Sequence, residues 1–135
     1  MVKIEQHTLD QLVDTFHQRK TEQSRQLVWN ELSAMPTLYF VQCGSRMSSV
    51  PWVVFENDEP LAMVFTECER ALDSASAIVE DGSELRVVGL PTNAASMYIA
   101  ALAAQGVSRV CFNHGPKRFD ASVEEVLLAM SSMKR

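Results

Sequence analysis

The sequence has few of the residues from which disulfide frameworks, metal centres and histidine-based active sites are built. Its 135 residues include three cysteines, an odd number with no paired spacing, and three histidines. This pattern predicts free thiols in a reducing compartment rather than a disulfide framework. We expect no metal site and no cofactor, because no second histidine or carboxylate stands at a metal-ligand spacing from His114.

Long apolar runs and an excess of positive charge are also missing. The longest apolar runs fall far short of the roughly 20 residues that cross a bilayer, and Glu5 and Gln6 interrupt any signal-peptide pattern. The net charge of −5 argues against broad binding to nucleic acid or anionic lipid, which requires a basic face. We therefore expect a cytoplasmic protein with neither a nucleic-acid nor a membrane partner.

Familiar catalytic motifs do not occur in the chain. It has no glycine-rich phosphate loop, no Gly-x-Ser-x-Gly elbow, no His-Glu-x-x-His and no Cys-x-x-Cys. Cys43, Cys68 and Cys111 are more simply structural thiols than nucleophiles. The sequence leaves enzymatic activity undecided and favours a non-catalytic protein.

What the sequence does contain is the composition of an ordinary globular domain, with 47% hydrophobic and 21% charged residues. Its length fits a single domain spanning 1–135. Within it we distinguish a helical segment, 1–35, from a sheet with helices, 37–133. Pro36 separates the two, because the residue before a proline disfavours helix.

Two helices are predicted in the first segment. Leu9, Val13 and Phe16 recur at helical spacing, and a second amphipathic run follows at 22–34. The polar residues 18–24 are either a turn between two helices or the exposed middle of one long helix.

The second segment begins with three predicted strands and continues with alternating helices and strands. The strands 37–43, 50–55 and 60–65 are joined by short loops, which favour antiparallel neighbours. A capping box at Thr66 to Glu69 then opens a helix. Strand 84–90, helix 94–105 and strand 107–112 form a crossover of the kind that is nearly always parallel.

A final helix, capped by Asp120 or Ser122, completes the order α-α-β-β-β-α-β-α-β-α. This order predicts an α/β (α+β) domain with a mixed five-stranded sheet. Its C-terminal half would supply a parallel βαβαβ part, with helices packed on the sheet.

The carboxyl edge of the predicted parallel strands is the candidate ligand site. Ligands in such folds bind outside the carboxyl ends of the strands, and helix N-termini near Thr66 and Thr92 would offer free N–H groups to an anion. The candidate ligand-binding residues are Thr66, Thr92, Asn93, Asn113, His114 and Lys117.

Each of these residues also has a simpler structural interpretation. Thr66 and Thr92 would be ordinary helix caps, Asn113 a turn residue, and His114 and Lys117 solvated surface residues.

Two segments of the second half resemble a known family. Residues 60–67 read PLAMVFTE, a strand that ends in Phe-Thr and opens a helix, and residues 103–113 read AAQGVSRVCFN. Over 37–130 the chain resembles the N-terminal domain of the SseB (enhanced serine sensitivity) proteins. It departs from them at Asn113-His114-Gly115, where the family commonly has Asn-Pro-Gly. The resemblance implies a bacterial, cytoplasmic binding or accessory protein and carries over no catalytic residues.

The leading functional hypothesis is a small non-catalytic protein-interaction or regulatory module. Its partner would be another protein, or a second copy in a homo-oligomer. Strand one or two at a sheet edge, or the helix faces around Trp29 and Leu32, would supply the surface. Two alternatives remain open: a small-molecule or anion-binding protein or enzyme using the carboxyl edge, and an acidic chaperone resembling those of secretion systems.

Overall fold

The computed structural model describes residues 4–44, 50–78 and 84–132, and forms a single α+β domain with five helices and two sheets among them. The helices are α1 Ile4–Arg19, α2 Glu22–Ser33, α3 Cys68–Ile78, α4 Thr92–Ala104 and α5 Val123–Ser132. The strands are β1 Thr37–Cys43, β2 Val50–Pro51, β3 Val53–Glu56, β4 Glu59–Val64, β5 Leu85–Pro91, β6 Arg109–Phe112 and β7 Phe119–Ser122.

The polar residues after α1 form a turn between two helices. Lys20 adopts a positive φ of 53°, which the right-handed helix cannot accommodate. Thr21 then caps α2 through a reciprocal pair of hydrogen bonds with Ser24. Farther along the chain, Gly106 has a φ of 108° just after α4, and Ser122 accepts a hydrogen bond from the backbone N–H of Glu125 at the start of α5. Local sequence signals therefore set these helix ends.

The strands form a three-stranded sheet and a four-stranded sheet. The first has the order β2-β1-β5 and is antiparallel throughout. The second has the order β3-β4-β6-β7, in which only the β4–β6 pair is parallel. An isolated antiparallel bridge between Tyr39 and Phe65 joins the two sheets. Trp52 stands between β2 and β3, so one segment of chain passes from the first sheet to the second.

The interior has two hydrophobic cores, because alternate side chains of the central strands point to opposite faces. In β4, Ala62 and Val64 face the larger core, which is covered by α1, α2, α4 and α5. Leu61 and Met63 face the smaller core, which is covered by α3 and also contains Trp52. Successive strand residues point to opposite faces. A strand buried on both faces is consequently a continuous apolar run, as β4 is from Leu61 to Val64.

The predicted five-stranded sheet with a parallel βαβαβ part is not confirmed. β5 pairs antiparallel with β1 along seven residues, from Thr37–Pro91 to Cys43–Leu85, whereas β6 pairs with β4. The crossover rule applies to strands that share a sheet. Here β1 is the partner of β5, and this long-range pairing left no local signal in the sequence.

One further strand was not predicted. β7 alternates apolar and polar residues, with Phe119 and Ala121 buried, but it is only four residues long. The sequence analysis assigned it to a loop and a helix cap.

No helix among the described residues is both long and apolar enough to span a membrane.

Candidate functional site

Thr66 and Asn113 meet at the carboxyl end of the parallel β4–β6 pair. The Asn113 side-chain oxygen accepts a hydrogen bond of 3.0 Å from the Thr66 backbone N–H. The Asn113 amide donates one of 3.0 Å to the Thr66 hydroxyl. Asn113 has a φ of 56°, which Asn tolerates better than most residues. Both residues are buried. The pair therefore extends the β4–β6 ladder beyond its last backbone bonds.

His114 and Lys117 line a cleft beside this pair. Its empty volume is about 530 Å³, and its other walls come from α3 and the loop after β6. The remaining lining residues are Arg70, Asp73, Ser74, Asn113 and Pro116. The structure thus brings four of the six candidate ligand-binding residues to one edge. Asn113, His114 and Lys117 line the cleft, and Thr66 lies behind it, bonded to Asn113.

Carboxylates compensate the cations of this cleft. Arg70 contacts Asp10 at 2.6 Å and Glu67 at 3.7 Å, and Lys117 contacts Asp14 at 2.5 Å. Asp10 and Asp14 belong to α1, which therefore lies alongside the cleft. An anion entering here would compete with these carboxylates for both cations, so the electrostatics do not favour an anion site.

Thr92 and Asn93 lie at the start of α4 and do not belong to this cleft. The Thr92 hydroxyl donates a hydrogen bond of 2.9 Å to the Met35 carbonyl, and the Asn93 side chain accepts one from the backbone N–H of Ala94. Pro91 occupies the N-cap position without a side-chain hydrogen bond. Thr92 thus ties α4 to the segment between α2 and β1, instead of capping its own helix.

Trp29 and Leu32, the candidate interaction residues, are buried in the larger core with 4% and 2% of their surfaces exposed. The Trp29 indole packs edge-on against Phe112 and Phe119 and donates a hydrogen bond of 2.7 Å to Glu125. This placement corrects the interpretation of the helix face as an exposed docking surface. These apolar residues pack inward because α5 and β7 cover them.

Among the described residues, one exposed apolar surface lies along β3. Phe55 has 70% of its surface exposed and borders a groove with an empty volume of about 710 Å³ between β3 and the end of α4. The other lining residues are Pro51, Val53, Pro60, Leu102, Gln105, Gly106 and Val107. Most of these side chains are apolar, which is typical of surfaces that bind other proteins.

The hydrogen-bonding pattern of the β3–β4 hairpin shows which backbone groups of β3 are open. Asn57 and Asp58 both have positive φ, 51° and 66°, as in the two-residue type I′ turn. Phe55 stands opposite Pro60. Because proline has no N–H, this position must be a non-hydrogen-bonded pair, and such pairs alternate with bonded ones.

The backbone groups of Phe55 therefore point away from β4, and those of Val53 do so too because Val53 is two residues earlier. β3 is the terminal strand of its sheet. Within the described residues, these N–H and C=O groups have no backbone partner. The open edge and the groove thus present Val53 and Phe55 together.

Sequence reasoning placed a possible interaction surface on strand two but did not identify Phe55. The one hint in the sequence that Phe55 is exposed is its position directly before a four-residue polar turn. A residue at such a position can be exposed, but it need not be.

No protein-family model matches the chain, and no curated protein matches it. The resemblance to the SseB proteins accordingly stays a prediction.

Proposed function

We propose that the protein is a non-catalytic interaction module that binds a segment of another protein along β3. The observation that carries the proposal is the coincidence of an open strand edge with the apolar groove under Phe55. An added strand would gain backbone hydrogen bonds from the edge and side-chain contacts from the groove. A cytoplasmic location, suggested by the free thiols, and the SseB-like resemblance form part of the same proposal.

The other strand edges support this choice because they carry features that discourage pairing. Charged residues and proline at an edge are common protections against strand addition. Among the other terminal strands, β5 carries Arg86 and Pro91, β7 carries Asp120, and β2 is only two residues long and carries Pro51. β3 has three apolar residues in a row before Glu56.

The test compares the partners captured by two matched variants. Phe55→Lys places a charge at the groove. Met97→Lys makes the same change on α4, where Met97 is similarly exposed at 73%. Cells that produce each protein would be treated with a cleavable cross-linker, and the captured proteins identified by mass spectrometry.

We expect one or more proteins to be captured by the unaltered protein and by Met97→Lys, and lost with Phe55→Lys. Equal capture by all three proteins would contradict the use of β3 as the binding edge. Both variants should give the circular dichroism spectrum and melting temperature of the unaltered protein, because both positions are mostly exposed.

A further inference from the structure

We propose that β3 also pairs with β3 of a second copy of this chain, antiparallel and about a two-fold axis at Val54. This inference rests on the proposed function in treating β3 as a binding edge, and it specifies a partner, a register and an interface. The resulting homodimer would join two four-stranded sheets into one continuous sheet of eight strands.

The positions of the open backbone groups determine the register. Val53 and Phe55 both direct their N–H and C=O groups outward, and they flank Val54 symmetrically. A two-fold axis at Val54 places Val53 of each copy opposite Phe55 of the other. Each of these pairs can exchange two hydrogen bonds, for a total of about four. The edge is therefore complementary to itself.

The side chains fit the same register. Val53 and Phe55 point to the face that bears the groove, so the ring of Phe55 would lie beside Val53 of the second copy. Cross-strand pairs of an aromatic and a β-branched residue stabilise sheets. Phe55, which is 70% exposed in one chain, would then be covered in both.

The distribution of charge permits this approach in a protein with a net charge of −5. Glu56, the one charged residue on β3, is held by both terminal nitrogens of Arg118 at 3.0 Å. The exposed residues Asp58 and Glu59 lie at the hairpin tip. Because the strands would run antiparallel, the two acidic tips would point away from each other.

The interface would be small. An aromatic side chain buries about 150–250 Å², so two copies of Phe55 with their neighbours would fall short of the roughly 1,200 Å² of a standard interface. We therefore expect a reversible dimer whose population depends on concentration. A partner segment that uses the same edge could displace the second copy.

Sedimentation velocity over a range of micromolar concentrations tests the dimer directly. The unaltered protein and Met97→Lys should change from monomer to dimer as concentration rises, whereas Phe55→Lys should stay monomeric. A monomer at every concentration, or a dimer that survives Phe55→Lys, would overturn the inference.

Disulfide trapping tests the register in a background that carries Cys43→Ser and Cys68→Ser. Residues at a non-hydrogen-bonded pair have Cα atoms about 4.5 Å apart, within disulfide range. Val54→Cys should form a covalent dimer under mild oxidation. Val53→Cys, which keeps Phe55, should not, because its two copies would stand diagonally, about 7–8 Å apart. Preferential cross-linking of Val53→Cys would contradict the register.

The two proposals can fail separately. If the unaltered protein is monomeric but still captures a partner that Phe55→Lys loses, the homodimer fails and the proposed function stands. If the dimer depends on Phe55 while every captured partner is insensitive to that residue, the homodimer stands and the binding of other proteins through β3 fails.

Discussion

Arg25 and Glu125 form a bidentate ion pair that joins α2 to α5, although the two residues are one hundred positions apart in the sequence. The Arg25 Nε–Glu125 Oε2 distance is 2.7 Å, and the Arg25 Nη2–Glu125 Oε1 distance is 2.6 Å. The same guanidinium donates to the Asp120 carbonyl and lies over the Phe119 ring, 4.6 Å from its centroid. One cation thus contacts α5, β7 and the larger core.

Arg25→Lys should destabilise the domain although it keeps the charge. A lysine ammonium cannot form the planar, bidentate contact with Glu125, and it cannot stack on the Phe119 ring as a guanidinium does. We expect the free energy of unfolding to fall by about 1–2 kcal/mol, measured by chemical denaturation followed through tryptophan fluorescence. Arg86→Lys, at an exposed position on β5, is the matched control and should have little effect. Equal effects of the two substitutions would contradict a special role for Arg25.

The stability of the domain should decrease in acid. Hydrogen bonding to Arg25 lowers the pKa of Glu125 below its usual 4.5, and hydrogen bonding to Arg118 lowers that of Glu56 below the same value. A lowered pKa in the folded state stabilises the protein above the unfolded pKa, and this contribution is lost as pH falls through the folded value. The free energy of unfolding should therefore decline below about pH 4.5.

The Glu125→Gln variant, which cannot ionise at this position, tests the prediction by denaturation at several pH values. It should be less stable than the unaltered protein at neutral pH, and the difference between the two should shrink as the pH falls. A difference that stays constant with pH would show that ionisation of Glu125 does not contribute.

Trp29→Glu should unfold or strongly destabilise the protein. The indole is buried against two phenylalanine rings, and a carboxylate there would be desolvated beside the Glu125 carboxylate, which already binds Arg25. We expect a loss of at least about 3 kcal/mol. Leu128→Glu, on the exposed side of α5 at 72% exposure, should change stability far less. Thermal melts of the two variants would check this. A Trp29→Glu protein that melts normally would restore Trp29 as a candidate surface residue.

Features set by neighbouring residues could be predicted from the sequence, whereas long-range pairing could not. All five helices were expected, and of the two caps predicted for the last one, Asp120 or Ser122, the structure shows Ser122. The pairing of β5 with β1 depends on contacts between segments that are far apart in the sequence, and no local pattern specifies it. The same limit applies to the site. The proximity of Thr66 and Asn113 follows if β4 and β6 are parallel, but the exposure of Phe55 depends on where α4 ends.

Asn113→Ala should be more damaging than His114→Ala, although the two residues are neighbours. Asn113 is buried with its amide bonded to Thr66, and alanine at a φ of 56° would be strained. We expect a loss of about 2–4 kcal/mol for Asn113→Ala and less than about 0.5 kcal/mol for His114→Ala. Urea denaturation of the two variants is the measurement. Equal, small losses would mean that the Asn113–Thr66 pair contributes little to the fold.

The three cysteines should react with a thiol reagent in the order of their exposure. Cys68 is exposed, Cys43 is half-buried, and Cys111 is fully buried in the smaller core. Burial raises the pKa of the Cys43 thiol. Burial raises that of Cys111 as well, with a further contribution from the Asp120 carboxylate. Because the thiolate is the reactive form, both shifts slow modification at neutral pH.

Mass spectrometry of the protein after timed exposure to a maleimide would give the order of labelling. We expect Cys68 first, Cys43 more slowly, and Cys111 only after denaturant is added. The Cys68→Ser variant is the control, since it should remove the fast phase and leave the other two unchanged. Labelling of Cys111 under native conditions would show that the smaller core opens without global unfolding, and β7, which pairs with the Cys111 strand, would then be the element to follow by hydrogen exchange.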